Sequence, residues 1–160
     1  MNDRAADLLS RYIRINTSNP PGNEYLAAAF FAEIFKKENI PVKTYESHPG
    51  RVSIKATLKG SGKKKPLILL HHMDVIAARK EDWSFDPFGG EIIDGYICGR
   101  GALDTKSLGI IQLLALLDIK DRKIKPPSHF LFFHAQALPL APSIKAITIL
   151  STGMRPINAI

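Results

Sequence analysis

A continuous apolar run, Pro66-Leu67-Ile68-Leu69-Leu70, stops abruptly at His71-His72-Met73-Asp74. An apolar run without polar alternation reads as a strand buried on both faces of a parallel or mixed sheet, and such a strand needs a layer on each side. The flanking sequence can supply them. Leu8, Leu9, Tyr12 and Ile13 fall at helical spacing within residues 3–16. Ala27, Phe30, Phe31 and Ile34 do so within 24–39, and Ile110, Leu113, Leu114 and Leu117 within 105–120. Residues 42–46 and 52–58 alternate apolar with polar types around His48-Pro49-Gly50, which predicts a hairpin. Residues 129–134 predict a further buried strand. The expected fold class is α/β, with helices covering a mixed central sheet.

At 160 residues the chain has the size of one domain, and 45% hydrophobic with 23% charged residues is a globular composition. The apolar run 27–32 is far too short to cross a bilayer, and Asp3, Arg4 and Asp7 stand where a secretory signal would be basic and then apolar. A cytoplasmic location without membrane contact is expected. A single cysteine, Cys98, excludes an internal disulfide.

The net charge of +7 invites a nucleic-acid partner, but its distribution argues against one. Residues 1–121 carry 17 basic and all 15 acidic residues, whereas residues 122–160 carry five basic and no acidic ones. The excess is a local absence of carboxylates. Lys63-Lys64-Lys65 has no interleaved aromatics and reads as a solvated turn, so no nucleic-acid partner is expected.

Two constellations could carry chemistry. In His72-x-Asp74 at a strand end, the two side chains share a face, so a carboxylate can fix the imidazole and leave its other nitrogen for a metal. A satisfied polar pair is the alternative. His71 points to the opposite face and is given no role. In Gly99-Arg100-Gly101-Ala102-Leu103-Asp104-Thr105-Lys106-Ser107, a glycine-rich loop delivers an acid to a helix start. Asp104 is there either an N-cap or a carboxylate able to bridge two cations.

Four segments occur in an order and spacing that resemble the M20 metallopeptidases, the family of acetylornithine deacetylase, succinyl-diaminopimelate desuccinylase, aminoacylase and glutamate carboxypeptidase. They are Asn16-Thr17-Ser18-Asn19-Pro20-Pro21-Gly22-Asn23-Glu24, the strand end from Leu67 to Val75, the insert from Asp82 to Glu91, and the stretch from Asp94 to Lys106. The resemblance implies a partial α/β/α layered catalytic domain hydrolysing amide or peptide bonds of N-acyl amino acids or small peptides by metal-activated water. It implies two zinc ions per site, with cobalt as a substitute, His72 and Asp104 as metal ligands, and Asp74 as the catalytic-site aspartate that orients His72. Trp83, Asp86, Pro87 and Phe88 match an ordered loop and are read as structural. His71 departs from the small residue usual before the ligand histidine.

The resemblance covers residues 1 to about 120 and then ends. The family's adjacent glutamates, one a general base and one a ligand, should follow the last strand, where this chain reads His134-Ala135-Gln136-Ala137-Leu138. Later ligands and the lid or dimerisation domain are also expected to be absent. His129 and His134 are five apart, on opposite faces of a strand and about 140° apart on a helix, so they do not converge on one metal. They read as a strand-edge residue and a turn residue. The expected organisation is therefore 1–124, the N-terminal part of the catalytic domain, and 125–160, a divergent tail arising from a frameshift, a truncation or a gene-model error. Such a chain is expected to be inactive alone, a non-catalytic remnant or partner-binding fragment, with an unpaired sheet edge and exposed apolar faces.

Overall fold

The computed structural model describes residues 3–135. The predicted helices form as α1 (Asp3–Ile13), α2 (Glu24–Lys37) and α3 (Ser107–Asp121). Between α1 and α2 lies a short strand, β1 (Ser18–Asn19). The hairpin forms as β2 (Val42–His48) and β3 (Arg51–Leu58), and the apolar run as β4 (Leu67–His72), followed by β5 (Val75–Ile76). A small hairpin, β6 (Ile92–Ile93) and β7 (Tyr96–Ile97), punctuates the long loop, and β8 (Phe130–Ala135) is the last described element.

The main sheet has the order β2-β3-β8-β4. Strand β8 runs antiparallel to β3 and parallel to β4, so the sheet is mixed as expected. Its register sorts the side chains into two faces. Leu58, Phe130 and Leu67 lie abreast on one face, then Ala56, Phe132 and Leu69, then Ile54, His134 and His71. All three helices pack on this face, where Tyr12, Phe31, Phe35, Leu113, Leu116 and Phe132 are completely buried.

The other face carries Leu131 beside Ile68 and Phe133 beside Leu70. Here the structure departs from the sequence expectation. Leu67, Ile68 and Leu70 are 49%, 41% and 47% exposed, although their run predicts burial on both sides. The reason is position: β4 is the outer strand of the described sheet, with a neighbour on one side only. Helix α3 has a similar excess of apolar surface. It buries Ile110, Leu113, Leu116 and Leu117 but leaves Ile111 63% exposed, and a helix apolar all round normally belongs inside a protein.

Strand β8 lies within residues 125–160, yet it is an inner strand of the sheet. A strand flanked on both sides has little use for carboxylates, so the acid-free composition begins before the described fold ends. Among the described residues no helix is long and apolar enough to cross a membrane.

Candidate metal centre

Strand β4 delivers His72 to the rim of a cavity of about 430 Å³ lined by Asn19, Asp74, Trp83, Arg100 and Asp104 among others. Three contacts fix this strand end. The Thr17 hydroxyl donates to the Met73 carbonyl at 2.6 Å, the Val75 amide donates to the Thr17 carbonyl at 3.1 Å, and β1 pairs in parallel with β5. The loop before α2 is thereby stitched to the residues after His72. From the other side, the Thr105 hydroxyl donates to the His72 carbonyl at 3.2 Å and holds the glycine-rich loop in place.

Asp104 is not an N-cap. Helix α3 starts at Ser107 without a side-chain cap, and Asp104 has non-helical φ −119° and ψ 92°. Its carboxylate is 83% exposed and turns to His72, with Oδ1 at 3.2 Å from Nε2. On the opposite side of the ring, Nδ1 lies 2.9 Å from the Asp74 carbonyl oxygen and 3.6 Å from Asp74 Oδ1. A carbonyl only accepts, so Nδ1 carries a proton. The fixing acceptor is thus the Asp74 backbone, whereas the sequence pattern pointed to its side chain.

With Nδ1 protonated, neutral His72 presents a lone pair on Nε2 to a carboxylate oxygen. Two acceptors at that distance need a proton or a cation between them. The Asp74 carboxylate, helped by its carbonyl and by Asp104, raises the His72 pKa to about 9 against the cost of burial, so a proton fills the gap near neutrality. A divalent cation suits the same pair of donors, imidazole nitrogen and carboxylate oxygen. Among the described residues no group of three His, Cys, Asp or Glu converges on one point.

The Asp74 side chain, 5% exposed, has further partners besides the ring. Asn19 Nδ2 donates to its Oδ2 at 3.0 Å, and Arg51 Nη2 lies 3.9 Å from the same oxygen. Arg51 is itself paired through Nε with the fully buried Glu24 at 2.8 Å. Burial pushes the Glu24 carboxyl up from its usual range, with its own backbone hydrogen bond and Arg51 acting the other way. Neither Arg51 nor Glu24 carried a sequence signal for this role.

Gly22 makes the ion pair possible. It has φ +77°, and a Cβ there would lie 2.7 Å from Arg51 Nε and 2.8 Å from Glu24 Oε1. Gly22→Ala therefore combines left-handed backbone strain with overpacking against a buried pair. Urea unfolding should show a loss of about 2 kcal/mol or more. An unchanged midpoint would mean that the loop yields freely.

Three further residues differ from expectation. His71, given no role, is 4% exposed, with its ring centroid 3.4 Å from that of His134 and Nε2 3.4 Å from the Tyr12 hydroxyl. Gly109 of α3 leaves room for it, because a Cβ there would collide with the His71 ring. His134, read as a turn residue, lies inside β8 and is fully buried, because the strand continues past the apolar run. His129 does sit at the strand edge, accepting at Nδ1 from the Gly60 amide at 3.1 Å. Lys106, not singled out by its pattern, is fully buried and donates from Nζ to the carbonyls of Tyr12 and Ile15 at 3.0 and 2.7 Å. Burial brings its pKa down to about 7. Trp83 lines the cavity, with the Arg100 guanidinium 5.0 Å from its ring centroid.

Comparison with known proteins adds the family. Residues 68–135 match the model of peptidase family M20/M25/M40. Aminoacylase-1 of Sus scrofa is 38% identical over 115 residues, which is 71% of this chain and 28% of the relative. An N-fatty-acyl-amino acid synthase/hydrolase of Xenopus tropicalis is 52% identical over 54 residues, 32% of this chain and 10% of that protein. The fold matches an M20 family metallo-carboxypeptidase from Sulfolobus solfataricus with a TM-score of 0.71 at 22% identity, covering 83% of this chain and 30% of the other. The matched strand β8 carries the likeness to residue 135, past the point where carboxylates cease. The family-model match, the likeness to aminoacylase-1 and the shared fold support a partial chain of an M20 family member, which spans a little over a quarter of the length of the aminoacylase it matches.

Proposed function

We propose that this chain supplies part of a two-zinc amidohydrolase centre acting on N-acyl amino acids or small peptides. His72, through Nε2, and Asp104, as the bridging carboxylate that the family resemblance implies, would hold the metal, and Asp74 would be the catalytic-site residue that orients His72. The observation that carries this reading is the 3.2 Å approach of His72 Nε2 to Asp104 Oδ1 while Nδ1 is held from behind. The likeness to an aminoacylase and to an N-fatty-acyl-amino acid hydrolase supports the substrate class. When bound, the metal would polarise the scissile carbonyl and acidify the attacking water. The chain's own residues set the stage: the Asp74 carbonyl keeps the Nδ1 proton in place, and Asp104 brings negative charge to the cavity rim. Trp83 and Arg100 form part of its wall.

The catalytic-domain part, assigned to residues 1–124 on motifs, is carried on by β8. Residues 122–160 contain no Asp or Glu, so they supply neither the family's glutamate base nor its remaining carboxylate ligands. The chain alone is accordingly proposed to bind metal without turnover. Translating the coding DNA in its other frames beyond β8 tests whether a frameshift accounts for the tail; a Glu-Glu codon pair there supports it.

Calorimetric titration of the purified chain with zinc tests the metal reading. His72→Ala and Asp104→Ala should each weaken binding by at least about tenfold, and unchanged affinity in both sinks the assignment. A second reading, a non-catalytic remnant that binds a partner, is favoured by the exposed Ile68, Leu70 and Ile111. Zinc-dependent hydrolysis of N-acetyl amino acids by the chain, abolished by both substitutions, would overturn it, together with the expectation that the chain alone does not turn over.

A further inference from the structure

The Glu24–Arg51 pair sits one residue layer behind the candidate metal centre, which poses the question of what it is for. A buried ion pair is weak evidence for stability, since its desolvation offsets much of its attraction and an apolar pair of similar volume serves as well. Here Glu24 is fully buried and the Arg51 side chain is 13% exposed, so both have given up most of their water. Their placement is specific. Glu24 opens α2, Arg51 opens β3, and Gly22 lacks the Cβ that would push them apart. The guanidinium fork has a different contact on each of its nitrogens: Nε at 2.8 Å from Glu24 Oε2, Nη1 donating to Asn19 Oδ1 at 3.3 Å, and Nη2 at 3.9 Å from Asp74 Oδ2. Asn19 in turn donates to the same Asp74 oxygen at 3.0 Å.

We propose that Arg51, aimed by Glu24, is a positioning residue for the metal centre: with Asn19 it holds the Asp74 side chain, and so sets the backbone carbonyl that fixes the His72 ring with Nε2 toward Asp104. The geometry argues for this over simple stability. Asp74 contacts His72 through both its carbonyl and its carboxylate, at 2.9 and 3.6 Å, so a rotation of Asp74 moves both contacts on the ring. Only a planar fork reaches Glu24, Asn19 and Asp74 at once; a lysine ammonium at the same place carries the charge but not the three directions. The pair thus transmits the positions of α2 and β3 to the His72 ring.

The consequence for metal binding rests on the zinc reading above, whereas the ring orientation does not, and two readouts keep them apart. The main variant is Glu24→Met with Arg51→Met, which removes the pair together and leaves no lone buried charge. In the metal-free chain, the His72 Cε1–H signal in a carbon–proton NMR spectrum, assigned by its loss in His72→Ala, should shift or broaden, while those of buried His71 and His134 stay in place. Zinc affinity should fall about tenfold or more, as for other groups that orient a ligand from behind. A melting temperature that drops with the His72 signal unmoved overturns the proposal and leaves the pair merely structural. If the wild-type chain binds no zinc, the zinc reading fails and the NMR signal alone decides the positioning claim. If the double variant does not fold, Arg51→Lys replaces it: a displaced His72 signal supports the proposal, and a wild-type signal overturns it.

Discussion

Phe31→Ala should cost about 3–5 kcal/mol in urea unfolding, the usual range for emptying a large aromatic site in a core. For a small domain whose whole stability is of order 5–15 kcal/mol, that is enough to unfold a large fraction of the chain. Phe31 is fully buried on the inner side of α2, and its ring meets Tyr12 at 5.0 Å, Phe30 at 5.1 Å, His134 at 4.0 Å and Phe132 at 5.5 Å between centroids. It thus joins α1, α2 and the middle of the sheet in one contact set. Collapse around the vacated space is hindered because its neighbours are themselves rings held by backbone on three sides. Phe30→Ala is the control: Phe30 is only half-buried, stacked on Tyr12 at 5.6 Å, and should cost clearly less. Equal losses for the two would mean that α2 does not present Phe31 as its core anchor. Because His71 lies 5.9 Å from Phe31 and immediately precedes His72, loss of the core should also loosen the metal-site strand end.

The helices, the hairpin and the strand that ends at His72 were legible because each follows from local periodicity. Phe31, Leu113 and Ile54 announce their faces through neighbours three, four or two positions away. His72, Asp74 and Asp104 were legible only as a pattern in order along the chain; spacing alone left Asp104 open as an N-cap, and only the non-helical backbone at 104 removes that alternative. What could not be read was long-range. Glu24, Arg51 and Asp74 come from a helix, a strand and the link between β4 and β5, and nothing local distinguishes Arg51 from a solvated strand residue. Lys106 bonds to the end of α1 more than ninety positions away. The exposure of Ile68 and Leu70 was equally hidden, because an apolar run states what a strand wants beside it and not whether that neighbour is there.

Acid should destabilise this fold before its carboxylates titrate, and His134 is the reason. Its ring is fully buried against Phe31, Phe132 and His71, and among the described residues neither of its nitrogens has a hydrogen-bond partner. Burial first, and the neighbouring His71 second, hold its pKa well below 6.5. The folded state therefore keeps His134 neutral while the unfolded state takes up a proton near pH 6.5. Stability from this residue is complete above that value and is lost as pH falls through it, by about 1.4 kcal/mol per pH unit, or roughly 2 kcal/mol at pH 5. His71, held at about pH 3 chiefly by burial, adds a second proton of the same sign. His72 works oppositely and in another window: raised to about 9, it favours the metal-free fold below pH 6.5 and ceases to do so as pH rises through 9. Glu24, raised by burial, gains rather than loses as pH falls, so it cannot mimic the effect. Urea midpoints at about pH 6, 5.5 and 5, below the range in which His72 and Lys106 change their contributions, should fall with a slope approaching two protons in the wild type and one in His134→Leu. A variant that retains the full slope would place the acid sensitivity elsewhere. The buried histidine pair thus sets the lower pH limit of the fold, at the same end of the sheet that presents His72.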